Sequence, residues 1–202
     1  MPLLLIPPGV PAALGLSLAG LILGLCWKAA RVNTEDLRWA LAIHSIRLPG
    51  WTDRLLSLLR PLGRSWLSWG LVLLMALAGP RIAIILAIAL AICAAAERAV
   101  KVLVNRPRPF VLLPELRPPP GLAPSDPSYP SGDAARAWLL AVFLATLPGV
   151  PPWATSILLA AAIVVAFGRV RLGVHSPLDV LAGSCLGAGL GWAASLWLAQ
   201  PF

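Results

Sequence analysis

Apolar residues recur in long runs along the whole chain, and polar residues collect where the runs begin and end. Six runs predict helices, over roughly 10–27, 64–79, 81–100, 134–148, 153–168 and 179–199. A helix needs about 20 apolar residues to cross a bilayer. Several runs are shorter than that, so the helices are expected to extend into the interfacial region. Helices are the default here because exposed backbone polar groups have no water partner in hydrocarbon. Trp27, Trp66, Trp69 and Trp153 stand at the run ends, as interfacial anchors do. Gly20 and Gly24, and then Gly183, Gly187 and Gly191, recur every fourth residue and predict smooth stripes for close helix contact. The leading MPLLLIPPGVP lacks a basic segment and a small-residue cleavage site, so it is read as part of a retained first span.

Two connections are long. Residues 28–63 mix Lys28, Arg31, Arg38, Arg47, Arg54 and Arg60 with Leu, Ile and Trp, which predicts one or two amphipathic helices lying in the interface. Asn33-Thr34-Glu35-Asp36 is the expected helix start and Pro49-Gly50 the break. Residues 105–132 are rich in proline, and a loop of that length without periodicity is read as a lid or wall over a site.

Composition agrees with a membrane bundle. The 202 residues are 59% hydrophobic and 12% charged, with a mean hydropathy of +0.85. That excludes an ordinary soluble domain, and the length fits a single domain over 1–202. The fold class is therefore all-α: a polytopic membrane bundle of about six transmembrane helices with an interfacial amphipathic segment. The net charge of +8 comes without a basic-aromatic stripe or a nucleic-acid motif, which argues against nucleic acid as a partner. The cations lie beside the spans, so membrane lipids and a phosphorylated lipid substrate are the expected partners. Cys26, Cys93 and Cys185 fall in apolar runs without metal-ligand spacing and are expected to be inert buried thiols. Six spans put residues 28–63, the proline-rich loop and the turn at 169–179 on one face. That face holds every Asp and Glu, and every Lys and Arg except Arg81. The positive-inside bias would turn it toward the cytoplasm, in a cell membrane.

Three clusters on that face carry candidate chemistry. Lys101 and Arg108 follow the third run, and Arg169 follows the fifth. Guanidinium forks and an ammonium suit phosphate oxygens, and three such cations match the three equatorial oxygens of a phosphoryl group in transfer. Each one alone reads first as a positive flank of a membrane helix, and the three together, beside His175, favour the phosphate reading. Pro130-Ser131-Gly132-Asp133 opens the fourth run, with Ser131 as N-cap and Gly132 permitting close backbone approach to an anion. His175-Ser176-Pro177-Leu178-Asp179 opens the sixth. There Ser176 suits the N-cap, Pro177 the first helical position and Asp179 the third, as in a capping box. Asp179 also suits a second role, accepting a hydrogen bond from His175 and leaving the other ring nitrogen free for phosphorus. His44, in the interfacial segment, is read as structural.

The spacing Lys-x6-Arg-Pro, then Pro-Ser-Gly-x, then Arg-x5-His-x3-Asp resembles the type 2 phosphatidic acid phosphatase family of membrane lipid phosphatases. That family shares its signature with bacterial acid phosphatases and vanadium haloperoxidases. The resemblance runs from about Leu41 to Leu190, with the diagnostic motifs within Lys101–Asp179. It implies a six-helix core, no metal or other cofactor, and a phosphohistidine intermediate. By resemblance His175 is the nucleophile and Asp179 its partner, while Lys101, Arg108, Ser131, Gly132 and Arg169 bind the phosphoryl group. It also implies a site facing away from the cytoplasm, opposite to the charge bias.

Two positions depart from the pattern. Gly168 replaces the usual serine, losing a hydroxyl and keeping a backbone N–H. Asp133 stands where the family has the histidine that protonates the leaving group. An aspartate among three cations is expected to stay ionised and to donate a proton poorly. Three consequences are open: Asp133 is a less efficient acid, the substrate has a leaving group such as a phosphate that needs little protonation, or the site binds a lipid phosphate without turnover. The expected function is a lipid phosphate or diphosphate phosphatase, with a weak or inactive lipid-phosphate binder or transporter as the alternative.

Overall fold

The computed structural model describes residues 6–201, and among these the regular structure is helical. Residues 1–5 of the leading apolar run lie outside the described residues. The helices are α1 Val10–Leu25, α2 Ala30–His44, α3 Gly50–Leu59, α4 Ser65–Ala78, α5 Pro80–Val104, α6 Pro109–Leu112, α7 Gly132–Ala145, α8 Pro152–Arg171 and α9 Pro177–Leu198. Short 3-10 turns cover Cys26–Lys28 and Arg60–Gly63.

Among the described residues four stretches are long and apolar enough to cross a membrane: Val10–Lys28, Pro80–Leu112, Pro152–Arg171 and Pro177–Leu198. The segment Gly50–Gly63 with Ser65–Ala78, bent by 52°, makes a fifth if the pair counts as one span. The expected count of six differs for a physical reason. Helices α4 and α7 have 14 residues each, about 21 Å at 1.5 Å per residue, well short of a bilayer core. Helix α7 tolerates this because it runs inside the bundle, with nine of its residues buried.

Helix α9 is the centre. It packs along α1 on one side and α7 on the other, and α7 in turn packs on α8. Since lipid tails are as apolar as Leu, close van der Waals fit must hold such helices together. The expected glycine stripe provides it: a Cβ at Gly183, Gly187 or Gly191 would run into the backbone of Ser131, Ala135 and Leu139 of the α7 segment. On the opposite side Gly20 seats Cys185, and Gly24 seats the ring of Tyr129. The Tyr129 hydroxyl donates to the Gly20 and Leu21 carbonyls at 2.8 and 2.9 Å. Leu86, Leu90, Leu139, Phe143, Leu186 and Leu190 fill the core between α5, α7 and α9.

Residues 28–63 do form two short helices, and the break falls at Pro49, with α3 starting at Gly50. The expected start at Asn33 is wrong, because α2 begins at Ala30. Asn33 is instead a partner of Arg106, and Thr34 bonds back to the Ala30 carbonyl. Trp66, Trp69 and Trp153 are exposed at helix ends, whereas the Trp27 ring lies under the Arg106 guanidinium, 5.6 Å from centroid to Cζ. Cys93 is buried, but Cys26 is exposed at the end of α1. An outward position in a membrane helix is apolar without being buried in protein.

Candidate active site

Each cluster is positioned by a helix end. Helix α5 stops at Asn105, which adopts the left-handed conformation (φ 45°) and donates its N–H to the Lys101 carbonyl, and Pro107 prevents continuation. That stop turns Arg106 and Arg108 inward, so both are almost fully buried. Helix α8 ends at Arg171, and Gly173 (φ 73°) makes the turn. The Val174 and His175 N–H groups then donate to the Arg169 carbonyl at 3.2 Å each. Helix α9 opens with the expected capping box: Ser176 Oγ accepts from Asp179 N, and Asp179 Oδ2 accepts from Ser176 N at 2.9 Å.

These ends converge on one cavity of about 160 Å³, lined by Lys101, Arg108, Gly132, Asp133, Arg169 and His175. Six of the eight expected site residues are therefore on its wall. Asp179 lies behind it, fully buried, with Oδ2 3.6 Å from His175 Nδ1. Ser131 is also fully buried and is not on the wall. It holds the N-cap position of α7 without a side-chain cap bond, and its Oγ has no hydrogen-bond partner. What Ser131 contributes is its N–H, donated to the Asp179 carbonyl at 2.9 Å, which fastens α7 to α9.

His175 Nε2 is 3.2 Å from Arg108 Nη1. A guanidinium can only donate, so Nε2 carries the lone pair and Nδ1 the proton, facing Asp179. Burial holds the imidazole far below its ordinary range, at about 4, with Asp179 opposing and Arg108 and Arg169 reinforcing the shift. The lowered value favours the neutral ring at physiological pH.

Asp133 is engaged on both oxygens, Oδ1 by Arg136 Nη2 and Oδ2 by Arg169 Nε, each at 3.2 Å. Burial alone would raise its carboxyl, but Arg169 and Arg136 outweigh it and hold it below the usual carboxylate range. It is a carboxylate, not an acid, in this arrangement.

Several wall residues carry no signature and escaped the sequence reading. Asp126, from the proline-rich loop, bridges the two cations of the first motif: Oδ2 is 2.6 Å from Lys101 Nζ and Oδ1 is 2.8 Å from Arg108 Nη2. Burial would raise its carboxyl, but Lys101 and Arg108 bring it down to about 2. The loop is thereby a wall of the site, with Pro124 beside Asp126. Glu97 pairs with Lys101 and Arg136 at 2.8 Å each. Arg60 and Arg64 line the same cavity from the turn before α4. Arg106 lies outside it and joins Asp179 Oδ1 at 2.8 Å and Asp36 Oδ2 at 2.6 Å. Asp36 also accepts from the Leu178 N–H at 2.9 Å, so α2 braces the start of α9. The expected structural role of His44 agrees with its contact: Nδ1 is 2.9 Å from the Arg171 carbonyl, away from the cavity. No group of three or more His, Cys, Asp or Glu placed to hold a metal occurs among the described residues.

A family model described as the PAP2 superfamily matches residues 82–201, which include all three motifs. The chain belongs to the PAP2 superfamily. Two relatives of this PAP2 protein are an undecaprenyl-diphosphatase of Sulfolobus acidocaldarius, 45% identical over 65 residues, and the putative undecaprenyl-diphosphatase YbjG of Escherichia coli K12, 40% identical over 76 residues. These matches cover 32% and 35% of this chain, and 31% and 37% of the relatives, so they span about a third of either protein. The PAP2 fold itself extends much further. A transmembrane PAP2-type phosphatidylglycerolphosphate phosphatase from Bacillus subtilis superposes with a TM-score of 0.75 over 90% of this chain and 93% of that one, at 24% identity. LpxE of Aquifex aeolicus gives 0.69 over 78% and 93%, at 27% identity. With its apolar helices and these membrane neighbours, the protein is a multi-pass membrane protein of PAP2 fold.

Proposed function

We propose that this protein removes a phosphoryl group from a lipid monophosphate or diphosphate in a cell membrane, with His175 as nucleophile. The observation that carries this reading is the single cavity in which neutral His175 faces Arg108, Lys101 and Arg169. Family membership and the undecaprenyl-diphosphatase relatives support a lipid phosphate as substrate. Lys101, Arg108 and Arg169 gather the phosphoryl oxygens, with the Gly132 backbone on the same wall. As the phosphate enters, Arg108 exchanges His175 Nε2 for a phosphoryl oxygen, which frees the lone pair. Nε2 attacks phosphorus while Asp179 stabilises the proton kept on Nδ1, and the bond to the leaving oxygen breaks. From a diphosphate that oxygen departs as an anion on the lipid monophosphate, and from a monophosphate it takes a proton from water and leaves as the lipid alcohol. Water then attacks the phosphohistidine, releasing inorganic phosphate and regenerating neutral His175.

The test is to incubate the purified protein with lipid phosphate carrying labelled terminal phosphorus and to quench in alkali, where phosphohistidine survives. A labelled protein that disappears in His175→Ala is the expected result. The paired, ionised Asp133 favours a second reading, a binder or transporter of lipid phosphate on the same fold. Such a protein would move labelled lipid across vesicles unchanged and form no phosphoenzyme.

A further inference from the structure

Four cationic groups on the cavity wall are paired with carboxylates, Arg169 with Asp133 among them, and two are not. Lys101 and Arg108 are bridged by Asp126, and Arg136 is held by Glu97 and Asp133. Arg60 and Arg64 make no ion pair with a carboxylate among the described residues, although both line the cavity. The Arg60 Nε is buried without any hydrogen-bond partner. A buried, unpaired guanidinium N–H is costly unless an anion completes it.

The turn bearing these arginines is fixed against the phosphoryl pocket. Arg136 Nε donates to the Gly63 carbonyl at 2.7 Å, and Gly63 sits so close to α7 that a Cβ there would fall 2.6 Å from the Asp133 carbonyl oxygen. Arg60 and Arg64 are thus held next to the signature cations, on the side of the bent segment α3–α4. Arg60 is half-buried and Arg64 is exposed at the cavity mouth. Counted over the whole wall, six cationic side chains stand against three carboxylates, an excess of three positive charges. A phosphomonoester brings roughly −1.5 to −2 near pH 7, and a diphosphate about one charge more.

The second observation is independent of the first. Expelling an alcohol from phosphorus calls for a proton donor, and Asp133, at the family's donor position, is held as a carboxylate by two guanidinium groups. Expelling a phosphate monoester does not, because that group leaves as a stable anion.

Building on the phosphatase reading, we infer that Arg60 and Arg64 form a second phosphate subsite that makes this a lipid diphosphate site. His175 Nε2 attacks the terminal phosphorus, and its bond to the bridging oxygen breaks. The bridging oxygen keeps the electron pair and departs with the lipid monophosphate, whose oxygens Arg60 and Arg64 hold, so no proton is transferred in this step. Water then cleaves the phosphohistidine to inorganic phosphate and releases a proton to solution.

The test compares the full chain in detergent with Arg60→Gln, Arg64→Gln and the double variant on farnesyl diphosphate and farnesyl monophosphate. The ratio of kcat/KM for diphosphate over monophosphate is expected to fall at least tenfold in the double variant, with melting temperature retained. An unchanged ratio, whether both substrates decline together or neither does, overturns the subsite. Should a glutamine variant fail to fold, Arg60→Lys and Arg64→Lys are read by the same ratio, where loss of the fork is expected to lower it severalfold and no change overturns it. Calorimetry separates this proposal from the phosphatase reading. If the unmodified protein hydrolyses neither lipid, pyrophosphate binding tenfold tighter than orthophosphate, with the preference lost in the double variant, still supports the subsite. Equal binding overturns it.

Discussion

Asp133 concentrates the consequences of a single residue. By the motif resemblance a histidine there would serve as a proton donor, and general acid catalysis is worth about 10²–10⁴-fold where the leaving group needs a proton. Asp133→His is therefore expected to raise kcat on a lipid monophosphate at least tenfold and to change kcat on a diphosphate by less than about threefold. Phosphate release assays on both substrates check this, and equal stimulation of the two would show that the leaving group is not what Asp133 matches. His175 gives the second residue-scale prediction. Its folded value of about 4 lies below the unfolded value, which is about 6.5. Between these values the unfolded chain binds a proton that the folded chain does not, so stability present above about pH 6.5 is lost as pH falls toward about 4. Melting temperatures across pH 4–7 should show this acid slope, and His175→Asn should flatten it. An identical slope in both proteins would place the acid sensitivity elsewhere.

At the scale of elements, the fit of α7 against α9 decides whether the site exists. Helix α7 carries Gly132 and Asp133 into the cavity, and α9 starts just after His175. A Cβ on Gly187 would overlap the Ala135 backbone, and backbone cannot swing aside as a side chain can. Gly187→Ala is expected to destabilise the protein by about 1–3 kcal/mol, as overpacking of a tight interface does, and to lower kcat through displaced α7. Gly70→Ala, where nothing lies within 4 Å of the added carbon, is the neutral control. Thermal melting in detergent reads both. Elements also mark how far the sequence could be read. The capping box of α9 and the glycine stripe were legible because each follows from local spacing. The runs behind α4 and α7 were already short in the sequence, but that these helices gain no extension was not legible, since hydropathy tells nothing of which helices a bundle will bury. Lys101, Arg108, Arg169 and His175 were legible as a signature, whereas Arg60, Arg64 and Asp126 sit in a turn and a loop that carry no pattern. Their proximity to His175 is a tertiary fact.

For the whole molecule, the family match begins at residue 82, yet the site does not. Helix α1 covers α9 and receives the Tyr129 hydroxyl, α2 supplies Asp36 to the buried Arg106–Asp179 pair, and the α3–α4 turn supplies Arg60 and Arg64. Removing one partner of a buried ion pair costs about 3–5 kcal/mol, so residues 80–202 alone keep all three motifs and lose the support of Arg106. That fragment is expected to be unstable and inactive. The link between the halves is expected to be dispensable: Gly79, partly exposed, turns between α4 and α5 with nothing within 4 Å of a Cβ placed there, and surface turns tolerate cleavage when the flanking elements stay docked. Co-expressing 1–79 with 80–202 should therefore recover a complex that copurifies and releases phosphate, since α4 packs on α5 and α1 on α9 across the break. Copurification without activity would mean that the fragments dock while the Arg60–Arg64 turn does not return to the cavity. Activity from 80–202 alone would show that the signature residues suffice and that α1 to α4 serve only to hold the protein in the membrane.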